Sequence, residues 1–314
     1  MKKIIIHAGM PKTGTTAIQK QFGESSAWCA DNGLLYPVAG RYGGSFAHHT
    51  FFLSFVNDRV AINTPELVNM SHATCMESLD AMSEEIRHSS AQRVMLSSEL
   101  VWNPAALNRS ELEKIRSFFK DYKVQIVIFL RDIKSHALSS YAQRITGPQK
   151  YRKNIVAHLE EMHATGQWDY CKRIDDFCNV FGKTNVHLFW HEDYRNGITT
   201  PFMHFFNAQN SPLEYENQNI NTINSSEGWA LIMIFRRVNI LKNPKAIKAT
   251  RIAIRAIAAK IPKFLMSYAH RLMRPLNRAD EKKLDAWQSA ELTLLARRYS
   301  LKHHVAAEPE KVAK

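Results

Sequence analysis

A loop near the start of the chain combines glycine, threonine and lysine residues in a spacing that suits an anion. Gly9 and Gly14 stand five positions apart, Lys12 lies between them, and Thr15 and Thr16 open a segment with helical character. An apolar run before the loop predicts a buried strand. Glycine lets a backbone approach an anion closely, and a helix N-terminus offers free N–H groups and the positive end of its dipole. The pattern predicts a phosphate cradle.

The same loop differs at one decisive position from the triphosphate-binding pattern G-x-x-x-x-G-K-[ST]. Thr15 takes the place of the lysine, Thr16 keeps the Ser/Thr position, and the cation stands inside the loop at Lys12. This arrangement indicates an anionic nucleotide that is bound without the usual lysine and magnesium ion.

Polar residues also follow two other predicted strands. Ser97-Ser98-Glu99 comes directly after a short apolar run, and Arg131 and Asp132 follow the most apolar run of the chain. The forked donors of arginine suit a phosphate group, and Ser139 lies eight residues further along, on the same face of a predicted helix. Because ligands of open parallel sheets bind at the carboxyl ends of the strands, we expect these groups to meet there.

The elements that must position these residues form an α/β pattern. Helical segments separate five predicted strands, at residues 2–8, 34–37, 94–96, 124–130 and 186–190, and one helix is predicted from Thr15 to about Asn32. This alternation predicts a three-layer α/β fold, in which an open, mainly parallel sheet lies between helices. We predict a single domain over residues 1–300, mostly helical and basic from about 225, and a polar tail over 301–314.

Composition excludes several classes of protein. The chain is 45% hydrophobic and 23% charged, which is typical of a globular protein and not of a disordered one. Its four cysteines form neither a C-x-x-C pair nor a Cys/His metal spacing, so reduced thiols and no metal ion are expected. No apolar run reaches the ~20 residues of a membrane-spanning helix, and the first run is too short for a signal peptide. These observations predict a cytoplasmic protein.

Most of the net charge of +13 lies in one segment. Residues 228–279 contain twelve Lys or Arg and no Asp or Glu. On a helical wheel, isoleucines and basic residues occupy opposite faces, and we expect the isoleucine face to pack on the domain. The isoleucines are Ile247, Ile254, Ile257 and Ile261, and the basic residues are Lys245, Lys248, Arg251 and Arg255.

This basic region, residues 236–278, predicts an anionic partner. An anionic glycan, a lipopolysaccharide and the headgroups of a membrane, including peripheral contact with its inner face, stay open as alternatives. Nucleic acid is not expected as the partner, because no helix-turn-helix, zinc or aromatic-stacking signature accompanies the charge.

The segment Pro11-Lys12-Thr13-Gly14-Thr15-Thr16 resembles the 5′-phosphosulfate loop of sulfotransferases that use 3′-phosphoadenosine 5′-phosphosulfate (PAPS). The second signature of that family is a strand-end arginine followed eight residues later by a serine, and Arg131 and Ser139 stand at that spacing. The two motifs together are specific for that family, whereas either alone is not. As a whole, the chain resembles bacterial and carbohydrate sulfotransferases more than the animal enzymes that act on phenols and steroids. The glycine-rich basic loop near the C-terminus of the family has no recognisable counterpart.

The resemblance implies in-line transfer of a sulfuryl group from PAPS to a hydroxyl group or amine, with adenosine 3′,5′-bisphosphate as the product and no metal ion. A carbohydrate or glycolipid is the acceptor that it implies. The loop from Pro11 to Thr16 would hold the 5′-phosphate, with Lys12 stabilising the leaving oxygen. Arg131 and Ser139 would hold the 3′-phosphate.

A base must take the proton of the acceptor. Glu99 is the first candidate, because similar carbohydrate sulfotransferases place a carboxylate base just past a strand end. His48 and His49 follow a glycine-rich loop and are the second candidates, because histidine titrates near neutral pH. Two other functions stay open: a nucleoside-triphosphate-dependent kinase, and a polyanion-binding protein without catalysis.

Overall fold

The computed structural model describes residues 1–57, 62, 65–147, 149–194, 197–206, 229–241, 243–261 and 276–301. At its centre lies a five-stranded sheet with the order β2-β3-β1-β4-β5, in which every neighbouring pair is parallel. The strands are β1 (Lys3–Ala8), β2 (Leu34–Leu35), β3 (Arg93–Ser98), β4 (Lys123–Leu130) and β5 (Val186–Trp190). The predicted fold class, an open parallel α/β sheet flanked by helices, is confirmed.

The helices connect and cover the strands. In the described ranges they are α1 (Thr15–Glu24), α2 (Ser26–Asp31), α3 (His49–Leu53), α4 (Pro65–Val68), α5 (His72–His88), α6 (Arg109–Phe118), α7 (Ile133–Thr146), α8 (Ile155–Ala164), α9 (Tyr170–Phe181), α10 (Thr200–Phe206), α11 (Trp229–Val238), α12 (Pro244–Ala258) and α13 (Arg278–Tyr299). Short 3-10 turns follow β3 and β5, at Glu99–Val101 and His191–Tyr194.

The single helix predicted from Thr15 to Asn32 is two helices. The chain leaves helical geometry at Ser25, where φ is −102° and ψ is 45°. Gly23 and the two serines that follow it have low helix propensity. Gly23 also lies against Phe46, since a Cβ at this position would come within 2.0 Å of the ring. A side chain at position 23 would collide with this ring, so the close contact requires a glycine near the end of α1.

Both faces of the central strands are buried, as expected for a parallel sheet covered by helices. Alternate residues of β1 and β4 belong to two separate cores. Ile4 and Ile6 contribute to the larger core, whereas Ile5 contributes to the smaller one, together with Phe22 of α1 and Phe202 of α10. This double burial explains why the strands are continuous apolar runs in the sequence.

The strand register sets the position of the loops. His7 and Ala8 of β1 pair with Ser97 and Ser98 of β3, and His7 also pairs with Val127 of β4. Since β1 lies between β3 and β4, the segments that follow these three strands emerge at one edge of the sheet.

The side chain of Arg173 on α9 ties down the segment that follows Glu99. It is buried and donates hydrogen bonds to the carbonyl groups of Trp102 (3.0 Å), Leu107 (2.7 Å) and Val101. A buried carbonyl without a donor costs about 1–3 kcal/mol. Arg173 therefore holds in place the turn that carries Glu99.

The prediction for the basic helix α12 is wrong in part. Ile247 is buried and Ile254 is half-buried, but Ile257 and Ile261 are 64% and 38% exposed. Arg251, which was expected on the outer face, is buried and donates to the carbonyl groups of Thr146 and Ile145 at the end of α7. The last carbonyl groups of a helix need donors from outside it, so the guanidinium is drawn inward.

Several predictions concern parts of the chain that lie outside the described residues. They include residues 262–275 of the basic region and the tail after Leu301. No helix in the described ranges is long and apolar enough to cross a membrane. The single-domain boundary at about residue 300 stays a prediction.

We expect Arg173→Met to lower the free energy of unfolding by about 3–5 kcal/mol, because it removes the donors of three buried carbonyl groups. Urea unfolding followed by circular dichroism measures this change. Lys172→Met on the exposed side of the same helix is the matched control and should change stability by less than about 0.5 kcal/mol. Equal stability of the two variants would contradict the role of Arg173.

Candidate active site

The loop between β1 and α1 has two residues at positive φ and is held by hydrogen bonds. Lys12 adopts a positive φ of 68° and Gly14 one of 77°. The Thr13 hydroxyl donates to the carbonyl oxygen of Met10 at 2.6 Å, and the Gly9 amide donates to that of Ser98 at 3.2 Å. A non-glycine residue at positive φ is uncommon and strained, so the surrounding contacts hold Lys12 in this conformation.

The N-terminus of α1 is open to a ligand. Gly14 is the N-cap residue and offers no capping side chain, and the first turn contains no acidic residue. The amide groups of Thr15, Thr16 and Ala17 have no hydrogen-bond acceptor among the described residues. Thr16 is exposed, whereas the Thr15 hydroxyl is buried and points to Met10. Uncapped amides and the helix dipole together favour an anion.

Arg131, at the end of β4, lies against this loop. Its Nη1 donates to the carbonyl oxygen of Lys12, and its Nε lies 3.9 Å from a carboxylate oxygen of Glu192. The backbone of Arg131 is fixed as well, because the Tyr170 hydroxyl donates to its carbonyl oxygen at 2.9 Å. Ser139 is half-buried on α7, and its hydroxyl makes no hydrogen bond within the described part of the chain.

The charges of Lys12 and Glu99 interact across the strand ends. Burial lowers the pKa of Lys12, the positive charge of Arg131 lowers it further, and the negative charge of Glu99 opposes the shift. Burial raises the pKa of Glu99, and the charge of Lys12 counteracts that shift. The structure thus brings together, at one edge, the loop cation, the strand-end arginine and the carboxylate that sequence reasoning predicted separately.

The ring of His48 is buried and hydrogen-bonded to the backbone, unlike the ring of a catalytic base, which must reach the substrate. Its Nδ1 accepts a hydrogen bond from the Ser97 amide at 3.1 Å, and its Nε2 lies 3.0 Å from the carbonyl oxygen of Pro37. The first bond places the proton on Nε2, so both ring nitrogens are engaged. Burial lowers the pKa of His48 to about 3. These contacts argue against His48 as the base and favour a role in fixing the next residue, His49.

His49 is half-buried at the start of α3 and lies beside Ser98, the last residue of β3. Its Nδ1 lies 2.8 Å from the Ser98 hydroxyl, which also accepts a hydrogen bond from the Leu100 amide at 3.2 Å. The imidazole is therefore linked to the 3-10 turn that begins at Glu99. Burial lowers the pKa of His49 to about 4, so the ring is neutral at pH 7.

Sequence reasoning missed two neighbours of Arg131. Glu192 follows β5 in the same way that Arg131 follows β4, and that strand-end position was the available signal. Burial alone would raise the pKa of Glu192, but its hydrogen bond with His191 and the charge of Arg131 hold it below its usual range. Tyr170 comes from α9, distant in sequence, and no local pattern marks it.

A third missed residue, His136 on α7, accepts a hydrogen bond from the indole N–H of Trp168 at 3.0 Å. Burial lowers its pKa to about 3, and the charges of Arg131 and Lys12 act in the same direction. The described residues contain no group of three or more His, Cys, Asp or Glu that could hold a metal ion.

No protein-family model matches the chain, and no curated protein matches it. Among solved structures, it is similar to retinol dehydratase in complex with androsterone and the inactive cofactor PAP. The TM-score is 0.42 and the sequence identity 10%, over 96% of this chain and 83% of that chain. A similarity this low carries no argument about function, which must come from the residues themselves.

The site rests on histidines that must stay neutral, and this makes the fold sensitive to acid. Burial lowers the pKa of His7, His48 and His136 to about 3, against 6.5 for a free histidine. The unfolded chain therefore binds more protons than the folded one between these values. We expect the free energy of unfolding to be highest above pH 6.5 and to fall as the pH drops below it, approaching roughly 1.4 kcal/mol per pH unit for each of these rings. His49 and His158, with pKa values of about 4, act in the same direction.

Urea unfolding at a series of pH values from about 7.5 to about 4.5 measures how the free energy of unfolding changes with pH. Carboxylates contribute mainly at the lower end, near their own pKa values, so the interval just below pH 6.5 isolates the histidines. A stability that stays constant down to about pH 5 would show that these rings are not held neutral.

Proposed function

We propose that the protein is a PAPS-dependent sulfotransferase that transfers a sulfuryl group to a hydroxyl group or amine of a carbohydrate or glycolipid. The observation that carries the proposal is the uncapped N-terminus of α1 beside Lys12 and Arg131. Three sources of positive potential converge there on one loop, and the loop sequence resembles the 5′-phosphosulfate loop of that family.

The residues present fit a nucleotide with two separate phosphate groups. The amides of Thr15, Thr16 and Ala17, with the exposed Thr16 hydroxyl, would hold the 5′-phosphate. Gly9 permits this loop geometry, because a Cβ there would come within 2.6 Å of the Thr15 side chain. The Thr13 hydrogen bond to Met10 and the positive φ of Gly14 shape the loop, in which Pro11 precedes Lys12. The Arg131 guanidinium and the Ser139 hydroxyl would hold the 3′-phosphate.

The donor supplies the activated sulfuryl group, and the protein supplies electrostatic stabilisation and a base. Lys12 lies inside the loop, where its ammonium would stabilise negative charge on the leaving oxygen. Burial and Arg131 lower the pKa of Lys12, and the charge of Glu99 opposes that shift and so favours the ammonium form that this role requires.

Glu99 is the proposed base. The raised pKa of its carboxyl increases its basicity, and the interaction with Lys12 lowers the cost of the ionised form. Both groups lie at the edge where the three strand ends meet, so both would act on the same transfer: Glu99 would take the proton of the acceptor, and Lys12 would stabilise the leaving oxygen. His49 is the alternative base, although its pKa of about 4 makes it a weak one.

Thermal shift with adenosine 3′,5′-bisphosphate, and with ATP in the presence and absence of magnesium, tests the choice of nucleotide. We expect the bisphosphate to raise the melting temperature without magnesium. Stabilisation by magnesium–ATP alone would favour a kinase. Stabilisation by sulfated polysaccharide alone, without nucleotide, would favour a polyanion-binding protein.

Ser139→Ala tests the second phosphate contact against a matched control on the same helix face. Losing a hydrogen bond to a charged group costs about 1.5–3 kcal/mol, so Ser139→Ala should weaken bisphosphate binding by roughly 10- to 150-fold. Ser135→Ala lies one turn earlier and should leave binding unchanged. Arg131→Ala should weaken binding at least as much. Calorimetric titration with the bisphosphate measures all three, and equal affinities for the two serine variants would remove Ser139 from the site.

The pH profile of transfer tests Lys12 and Glu99 together. Glu99 must be ionised to act, and its pKa is raised, so the rate should rise with pH along a limb above 4.5. Lys12 must be charged, and its pKa is lowered, so the rate should fall along a limb below 10.5. Glu99→Gln should lose about 100-fold or more in kcat with bisphosphate affinity intact. If His49→Gln loses this activity while Glu99→Gln keeps it, His49 is the base.

A further inference from the structure

Helix α12 exposes apolar side chains on the side that faces away from the domain. Ile247 and Arg251 are buried on one face, and Ile252 on the other face is 56% exposed. At 100° per residue, the alanines at 249, 253 and 256 share that outer face, and all three are exposed. Apolar side chains on the outer face of a helix gain free energy when a partner covers them.

The same helix pair exposes further large apolar side chains. Ile257 is 64% exposed near the end of α12, and Ile240 and Leu241, which follow α11, are 60% and 44% exposed. Single exposed apolar residues are common on protein surfaces, but their concentration on one helix pair marks an interaction site. We call residues 237–241 and 245–260 the α11–α12 surface.

This surface carries positive charge and no negative charge of its own. Its exposed basic residues are Arg237, Lys245, Lys248, Arg255 and Lys260. The whole interval from 228 to 279 contains no Asp or Glu. On the wheel, Lys248 and Arg255 border the apolar face on one side and Lys260 lies within it. Isoleucines with flanking lysines and arginines are the pattern of a helix that lies in a membrane interface.

We propose that the α11–α12 surface docks on the headgroup region of an anionic lipid bilayer. A second copy of the chain would place this positive surface against itself, since a two-fold contact joins the same patch on both subunits. An anionic polysaccharide would neutralise the charges but leave the isoleucines in water. A bilayer surface with anionic phospholipids satisfies both, because its headgroups pair with the cations and its acyl boundary receives the isoleucines. The proposal does not depend on the nucleotide site.

Sedimentation of the full chain with vesicles tests the proposal. One set of vesicles contains equal parts phosphatidylglycerol and phosphatidylcholine, and the other contains phosphatidylcholine alone. We expect binding to the anionic vesicles and at least about tenfold weaker binding to the neutral ones. Each removed charge should weaken binding about fivefold, so Lys245→Gln with Lys248→Gln should lose roughly 25-fold.

The apolar part of the proposal has its own variant. Ile252→Gln with Ile257→Gln keeps every charge and should weaken binding to the anionic vesicles by about tenfold or more. Met76→Gln with Lys120→Gln changes an exposed apolar and an exposed basic residue elsewhere, and should bind as the parent chain does. Unchanged thermal melting confirms that all three double variants are folded.

Three results would overturn the proposal. The isoleucine variant could bind the anionic vesicles as the parent does, which excludes insertion of the apolar face. The chain could bind dextran sulfate but neither vesicle, which favours a polyanionic glycan. The parent could form a dimer in sedimentation velocity that the isoleucine variant abolishes, with no vesicle binding, which assigns the surface to a second copy.

Discussion

The parallel pairing of β1 between β3 and β4 is the constraint on which the site depends. The register of these pairs places the ends of the three strands side by side, so the loop after β1 meets both Glu99 and Arg131. Two parallel strands can be neighbours only if the chain between them crosses back over the sheet, usually as a helix. The helices in these crossovers bury both faces of the sheet. The cores and the site therefore come from one arrangement.

The carboxyl ends of β1, β3 and β4 bring several charged side chains together where they are partly removed from solvent. Two cations, Lys12 and Arg131, lie close enough to lower the pKa of the lysine, while Glu99 and Glu192 offset the repulsion. The uncapped amides of α1 add positive potential beside these groups, and the first turn of that helix contains no acidic residue. An anion would replace water at these donors without requiring them to be reorganised, which is the electrostatic basis of the proposed transfer.

Two buried, neutral histidines form hydrogen bonds that link the strands and segments around these charges. His48 joins the segment after β2 to β3 through its backbone amide and its ring, and thereby continues the edge of the sheet beyond the two residues of β2. His7 bonds to Ser97 from the neighbouring strand at 2.8 Å. Each ring is buried and keeps its neutral form because burial penalises the charge. His7 and His48 thus have a structural role, whereas His49 is half-buried and hydrogen-bonds to Ser98 at the end of β3.

Local pattern was enough to predict the five strands, the parallel sheet and the three polar groups at strand ends, because apolar runs and glycine-threonine turns are encoded by neighbouring residues. Local pattern could not distinguish His48 from His49 or find Tyr170, because their roles depend on partners far along the chain. Glu192 did have a local signal, its position at the end of β5. The assignment of Arg251 to the side opposite Ile247 was wrong even by local pattern, because residues four apart share a helix face. Its partners at the end of α7, however, lie about a hundred positions away, and only the tertiary structure shows them. Burial, hydrogen-bond partners and pKa shifts arise only when distant segments pack together, so the tertiary structure decided them.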